Sequence, residues 1–379
     1  MKKKSIMIIA GEASGDLHGA NLVKALRQKD PTLSFVGIGG RYLKDAGVDI
    51  LIDAGELAVV GITEAIAKLP TLLNGLKQAR HLLKTMVPDL LILIDFPDFN
   101  LRIASTAKKI NIPILYYITP QIWAWRSGRV KKIKKLVDKV AVILPFEAEF
   151  YQKHDVPVTF VGHPLLDLES SLLSGNFLPK SPRYPLIGLL PGSRDGEITR
   201  HLPVMLGAAK IIRQKLPNAR FIISCAPTAS IEQIKAIGGS DYDPDYFEIV
   251  EKTAQAVFRQ STLAIAASGT VTLEAAITKT PLIIIYRVSF LSYWLGRALI
   301  RVKNIGLINL VAGKDLVPEL IQNQATPEKI GNLAINMLSN PAQLEKMQEE
   351  LQKVNKLLGG PGASDRVACM ALDMIILNS

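Results

Sequence analysis

The chain has only two cysteines, Cys225 and Cys369, and no metal-ligand spacing surrounds them. Two isolated thiols exclude a disulfide framework and fit a reducing cytoplasm. The five histidines, His18, His81, His154, His163 and His201, show no ligand spacing either, so no structural or catalytic metal is expected. No apolar run approaches the ~20 residues that cross a bilayer. Residues 1–10 hold three lysines and a short apolar stretch, but no small-residue cleavage site follows, so they read as a first strand and not a signal peptide. Aromatic residues make up 6% of the chain and no nucleic-acid motif is present, which argues against a nucleic-acid partner. Internal repeats and low-complexity segments are absent.

What is present is a 379-residue, 48% hydrophobic chain in which strand-like and helix-like segments alternate. That length allows two domains and that alternation is the mark of an α/β protein. Strands are expected at 5–9, 33–38, 90–94, 114–117, 139–144 and 158–161, then at 186–190, 220–224, 247–249, 263–267 and 282–286. Periodicity weakens between Pro164 and Pro185. This divides the chain into a first Rossmann-like domain over 1–165, a linker over 166–185 and a second Rossmann-like domain over 186–360. Two doubly wound halves predict a cleft facing the carboxyl ends of the strands. A net charge of +11 points to an anionic partner, which nucleic acid, an anionic membrane surface or a phosphorylated substrate would satisfy.

Four stretches could carry chemistry. Ser268-Gly269-Thr270 follows a buried strand and opens a helix, with Ser268 or Thr270 as the expected cap. Helix N-termini attract phosphate. Glu274 lies one turn further on the same face, placed to accept hydrogen bonds from ribose hydroxyls. Gly192-Ser193-Arg194 follows the strand at 186–190, with Gly192 permitting close approach and Arg194 offering a bidentate fork for phosphate. Asp95-Phe96-Pro97-Asp98 follows the strand at 90–94. Its aspartates suit a general base, although Asp98 is equally placed to cap a helix. Gly11-Glu12-Ala13-Ser14-Gly15-Asp16 turns from strand to helix but matches neither the dinucleotide fingerprint nor a P-loop. The Asp241-Tyr242-Asp243 triplet sits in a polar loop and reads as solvated.

Three stretches could meet a membrane. Leu69, Leu72, Leu73, Leu76 and Leu83 recur at helical spacing beside Lys77, Arg80 and Lys84. The aromatic run at 290–295 leads into Arg297, Arg301 and Lys303. Trp123-Ala124-Trp125-Arg126 precedes Arg129, Lys131, Lys132, Lys134 and Lys135. Such stripes normally face a core, but three of them in a basic protein favour an interfacial surface with Leu69, Leu72, Leu73 and Leu76 as its lip.

Together these segments resemble the lipid-A-disaccharide synthase family. The matching stretches are Gly11 to Asp16, Val59-Val60-Gly61-Ile62 with Glu64, Asp95 to Asn100, and Pro120-Gln121-Ile122-Trp123-Ala124-Trp125-Arg126. They continue with Gly162-His163-Pro164, Leu190 to Arg194, Ser268 to Glu274 and Asn309 to Glu319. The resemblance implies a GT-B fold and an inverting glycosyl transfer from UDP-2,3-diacylglucosamine to 2,3-diacylglucosamine 1-phosphate, without a cofactor. It implies Asp95 as base, Asn309 as a further residue of the nucleotide pocket, and Ser14, Gly15, Asp98 and Gln121 lining the acceptor side. It also implies a segment over 361–379 that leaves the second domain, a homodimer as a possible assembly, and a cytoplasmic protein at the inner membrane of a Gram-negative-type bacterium. The alternatives are another UDP-sugar GT-B enzyme, of peptidoglycan glycosyltransferase or UDP-sugar 2-epimerase type, and a non-catalytic basic protein binding lipid surfaces or nucleic acid.

Overall fold

The computed structural model describes residues 4–57, 69–124, 127–167, 184–226, 228–251, 253–288 and 304–377. The chain divides into two compact units, one formed by residues 1–171 with 358–379 and the other by 172–357.

The first unit holds β1 (Ser5–Ala10), α1 (Ala13–Lys29), β2 (Ser34–Gly39), α2 (Arg41–Asp45), β3 (Asp49–Asp53), α3 (Ala54–Leu57) and α4 (Leu69–Met86). These are followed by β4 (Leu90–Ile94), α5 (Pro97–Lys109), β5 (Ile114–Tyr117), α6 (Arg129–Leu136), β6 (Lys139–Val142), α7 (Pro145–Gln152) and β7 (Val158–Phe160). All seven strands pair in parallel, in the order β3-β2-β1-β4-β5-β6-β7. A parallel sheet is covered on both faces, so its central strands can be apolar throughout. Every residue of β4 is buried, and its side chains alternate between two cores. Leu91 and Leu93 join Met7, Ile9, Tyr116 and the helices α4 to α7 on one face. Leu90, Ile92 and Ile94 join Ile6, Ile8, Leu115 and α1 on the other.

The second unit holds β8 (Leu186–Leu190), α8 (Asp195–Lys215), β9 (Arg220–Ser224), α9 (Ile231–Gly238), β10 (Phe247–Val250), α10 (Ala254–Gln260), β11 (Leu263–Ala267) and α11 (Val271–Thr278). It continues with β12 (Leu282–Tyr286), α12 (Leu307–Ala312), β13 (Glu319–Ile321), α13 (Pro327–Leu338) and α14 (Pro341–Leu357). Its six parallel strands run β10-β9-β8-β11-β12-β13. In both sheets the third, second and first strands are followed by the fourth, the order of a dinucleotide-binding sheet.

The closing helix α15 (Ala363–Leu377) belongs to the first unit. Its Val367, Ala368, Ala371, Met374 and Ile375 pack with α1 over the β4–β5 face. Asp167 fixes its start, accepting the N–H groups of Gly362 (2.6 Å), Ala363 (3.0 Å) and Ser364 (3.0 Å) and the Ser364 hydroxyl (2.9 Å). A carboxylate at a helix N-terminus satisfies otherwise unpaired N–H groups and opposes the helix dipole.

Two strands carry no clear sequence signal. β3 has aspartates at both ends and lies at the sheet edge, and β13 is three residues long and partly exposed. The segment with Val59, Val60, Gly61, Ile62 and Glu64, the residues Trp125 and Arg126, and the stretch with Arg297, Leu299, Arg301 and Lys303 lie outside the described residues.

Candidate active site

In an open parallel sheet the chain leaves in opposite directions on either side of the point where strand order reverses, and ligands bind there. In the second unit that point lies between β8 and β11, hydrogen-bonded neighbours although two strands separate them in sequence. The Gly192-Ser193-Arg194 loop leaves the end of β8, and Ser268-Gly269-Thr270 leaves the end of β11.

The first loop is fixed from within. Gly192 has φ +120°, a conformation that favours glycine, and a Cβ there would lie 2.5 Å from Glu197 Oε2. Glu197 reaches back to accept the Ser193 N–H at 3.0 Å and sits 3.4 Å from the Arg194 guanidinium. Arg194 is exposed at the start of α8. His201, almost fully buried one turn further, ties this loop to the end of β12. Its Nδ1 lies 2.8 Å from the Pro191 carbonyl and its Nε2 accepts the Arg287 N–H at 3.0 Å. Only the neutral ring with its proton on Nδ1 satisfies both bonds. Burial also lowers its pKa, against the pull of the Pro191 carbonyl.

The second loop differs from expectation in its cap. Thr270 holds the N-cap position of α11 but makes no side-chain cap bond, and the Ser268 hydroxyl donates to the Ile305 carbonyl at 3.1 Å. Neither hydroxyl therefore caps the start of α11. Open space surrounds the position a Cβ would take on Gly269. Glu274 lies one turn along, and burial pushes its carboxyl up to about 7, while the Gln255 backbone N–H pulls the other way.

Asn309 is held as an internal brace. It is 2% exposed, and its amide donates to the Val317 carbonyl (2.8 Å) and Glu319 (2.7 Å). Its oxygen accepts the N–H groups of Leu316 and Val317, each at 2.9 Å. Those four bonds use every donor and acceptor position the side chain has. Glu319 completes the brace by accepting the N–H groups of Ile305 and Gly306.

In the first unit the switch point lies between β1 and β4. Asp95 follows β4 directly, with φ +47°, and Phe96 repeats that value. Ile118, just past β5, has φ +56°, and its carbonyl accepts the Asp95 N–H at 3.1 Å. Left-handed backbone in such residues costs about 1–3 kcal/mol each and persists only where the surroundings over-determine it. Here the Asp95 carbonyl accepts both the Tyr116 hydroxyl and the Asn100 amide, each at 2.7 Å. Phe96 lies over Gly11, where a Cβ would meet the ring at 2.3 Å. Gly15 is buried against Ile94, which makes it a packing glycine, whereas Ser14 and Gln121 are exposed. Asp98 does not cap α5, since Phe96 holds that position. It is exposed and ion-paired with Arg129. Asp16 braces the neighbouring turn, accepting the N–H groups of Gly40 (2.7 Å) and Tyr42 (2.8 Å).

A match to the lipid-A-disaccharide synthetase family model runs from residue 6 to residue 374. The chain belongs to that family. It is 46% identical over 379 residues to a lipid-A-disaccharide synthase of Syntrophus aciditrophicus, covering 99% of each chain. Solved structures agree on the fold. A putative UDP-N-acetylglucosamine 2-epimerase from Listeria monocytogenes has a TM-score of 0.67 at 14% identity, over 97% of this chain and 95% of that one. The glycotransferase of kitacinnamycin has a TM-score of 0.67 at 15% identity, over 98% of both chains. The fold is that of the GT-B glycosyltransferases, two parallel-sheet α/β units.

Other expectations change at the side-chain level. Leu76 is buried at 5% in the α4 core and Leu72 packs against that core, so Leu76 is not part of a membrane lip. Leu73 is 49% exposed on the same helix, and the Leu69 side chain lies outside the described residues. Asp241 pairs with Lys210, and Asp243 closes a local turn by accepting the Asp245 N–H at 2.9 Å. Among the described residues no helix is long and apolar enough to cross a membrane. Glu147, His201 and Asp167 were missed from sequence because each acts on partners remote in the chain.

Proposed function

We propose that the protein transfers 2,3-diacylglucosamine from its UDP derivative to a hydroxyl of 2,3-diacylglucosamine 1-phosphate, with inversion at the anomeric carbon. The acceptor oxygen bonds to that carbon, the bond from the carbon to the diphosphate oxygen breaks, and UDP leaves. The observation that carries the reading is the meeting of the Arg194 loop and the start of α11 at the carboxyl ends of neighbouring strands in a chain of this family. A diphosphate leaving group gathers negative charge as it departs, and preorganised N–H groups and a guanidinium favour that charge most strongly in the transition state.

Glu274 receives the ribose hydroxyls. A carboxylate held above its ordinary pKa by burial gains most from donors that arrive with the ligand. Asp95 takes the proton of the acceptor hydroxyl, with its backbone held by Tyr116 and Asn100. Ser14, Asp98 and Gln121 face the acceptor sugar. Exposed Lys131, Lys132 and Lys135 on α6, with Leu73 on α4, hold the protein against an anionic membrane surface where both acylated substrates reside. Incubation with UDP-diacylglucosamine and the 1-phosphate acceptor tests the reading. Disaccharide 1-phosphate and UDP should appear in equal amounts. Free diacylglucosamine or an epimerised UDP-sugar in their place refutes it.

A further inference from the structure

The turn at 120–123, which carries Gln121, is held by a group outside it. Glu147 is 2% exposed, at the third position of α7. One carboxylate oxygen accepts the Leu144 N–H at 3.1 Å, as a capping glutamate does. Capping needs only that oxygen and works at the surface, so it does not account for a carboxylate buried inside the unit, where desolvation is unfavourable. The second oxygen accepts the Trp123 indole N–H at 3.0 Å. Phe146, next to Glu147, meets the Trp123 ring edge-on at 4.7 Å and 84°. Helix α7 thus grips Trp123 by a hydrogen bond and by a ring contact. The turn is closed by the bond from the Ala124 N–H to the Gln121 carbonyl, so fixing Trp123 fixes Gln121.

We propose that Glu147 is a positioning residue for glycosyl transfer, acting through Trp123 to hold Gln121 toward the acceptor sugar. This rests on the reading that Gln121 lines the acceptor side. Glu147 touches no reacting atom, and the UDP-binding residues belong to the other unit.

Glu147→Gln keeps the shape but turns an amide toward one of the two donors. Trp123→Phe keeps a ring and removes the indole N–H. Each single variant should lower kcat/KM for the acceptor about tenfold or more, with the affinity for UDP unchanged. The double variant should be no worse than either single one. The chain has three tryptophans, so indole-15N labelling gives three N–H resonances, and Trp123→Phe assigns one of them. Glu147→Gln should move that resonance, which a defect confined to helix capping would leave in place. An unmoved resonance, unchanged acceptor kinetics, or additive losses overturn the proposal. Gln121→Ala separates the two ways to fail. If it leaves acceptor KM and kcat unchanged, the acceptor-side reading is wrong. If it is damaging while Glu147→Gln is silent, only the Glu147 clamp is wrong.

Discussion

His201 and Arg287, 86 residues apart, are joined by a 3.0 Å bond from the Arg287 backbone N–H to the His201 ring. The same ring reaches the Pro191 carbonyl, so one neutral side chain spans from β8 to β12 across β11. The Arg194 loop and the end of β12 are therefore a single mechanical element. His201→Asn should weaken UDP binding about tenfold although the side chain is buried, as titration calorimetry would measure. Unchanged affinity would show that the loop holds its shape without the bridge.

Asp95→Asn should reduce kcat by ~10²–10⁴ while UDP binds as before, because the change removes the proposed base and not a donor contact. Asp98→Asn should do far less, since Asp98 is exposed and already paired with Arg129. A reversal of that order in steady-state assays would move the base to Asp98.

Glu274 connects stability with function. Its folded pKa of about 7 lies above the ordinary 4.5, so the folded state holds a proton that the unfolded state has lost between those values. Stability from this group is therefore lost as pH rises through that window and stays low above it. At pH 8 Glu274→Gln should raise the melting temperature of the ligand-free protein, with a ceiling of ~3 kcal/mol, and should weaken UDP affinity at least tenfold. A variant with lower stability and intact UDP affinity would remove Glu274 from the site.

Acid should act on the first unit through His18 and His163, both buried, with pKa values lowered to about 4 and about 3. The unfolded chain protonates near 6.5 while the folded one does not, so stability is full above 6.5 and falls as pH drops through the folded values. Burial dominates both shifts, with Asp167 opposing it at His18 and His18 reinforcing it at His163. His18→Gln should flatten the loss of melting temperature between pH 6.5 and 4, as calorimetric scans would register.

Leu73 and Leu76 are three residues apart on α4, yet Leu73 is exposed and Leu76 is buried in the core. Leu76→Ser should lower the melting temperature, consistent with ~1.5–3 kcal/mol from burying a leucine side chain. Leu73→Ser should leave it unchanged and reduce binding to anionic vesicles in a flotation assay. Equal vesicle binding by wild type and Leu73→Ser would refute the membrane role of this face.

The strand ends were legible because parallel strands are buried on both faces, which leaves apolar runs such as Leu90–Ile94 that stop abruptly at polar loops. Arg194, Glu274 and Asp95 follow such runs, which marks them as candidates, while the choice of Asp95 as base comes from the family resemblance. Sequence reading fails where a side chain serves a distant partner. Glu147 bonds Trp123 across 24 positions, and Asp167 bonds Gly362 across 195. Asn309 shows how bracing stays hidden from sequence. It lies in a stretch that resembles the family, but its four hydrogen bonds are spent on Val317, Leu316 and Glu319, which no local pattern reveals.

The return of α15 to the first unit bears on biosynthesis. Ribosomes deliver a chain N-terminus first at ~5–20 residues per second, and domains fold as units as they emerge. The second unit is contiguous, so it can finish as soon as residue 357 emerges. The first unit begins earlier but lacks the helix that covers its β4–β5 face until residues 363–377 are made. During that interval Leu90, Ile92 and Leu115 have an incomplete cover, and Asp167 has no helix to cap. A chain stopped before residue 358 would complete its second unit and leave an apolar sheet face open, the kind of surface that chaperones hold. Nascent chains of graded length, released and probed by limited proteolysis, should show the second unit protected before the first.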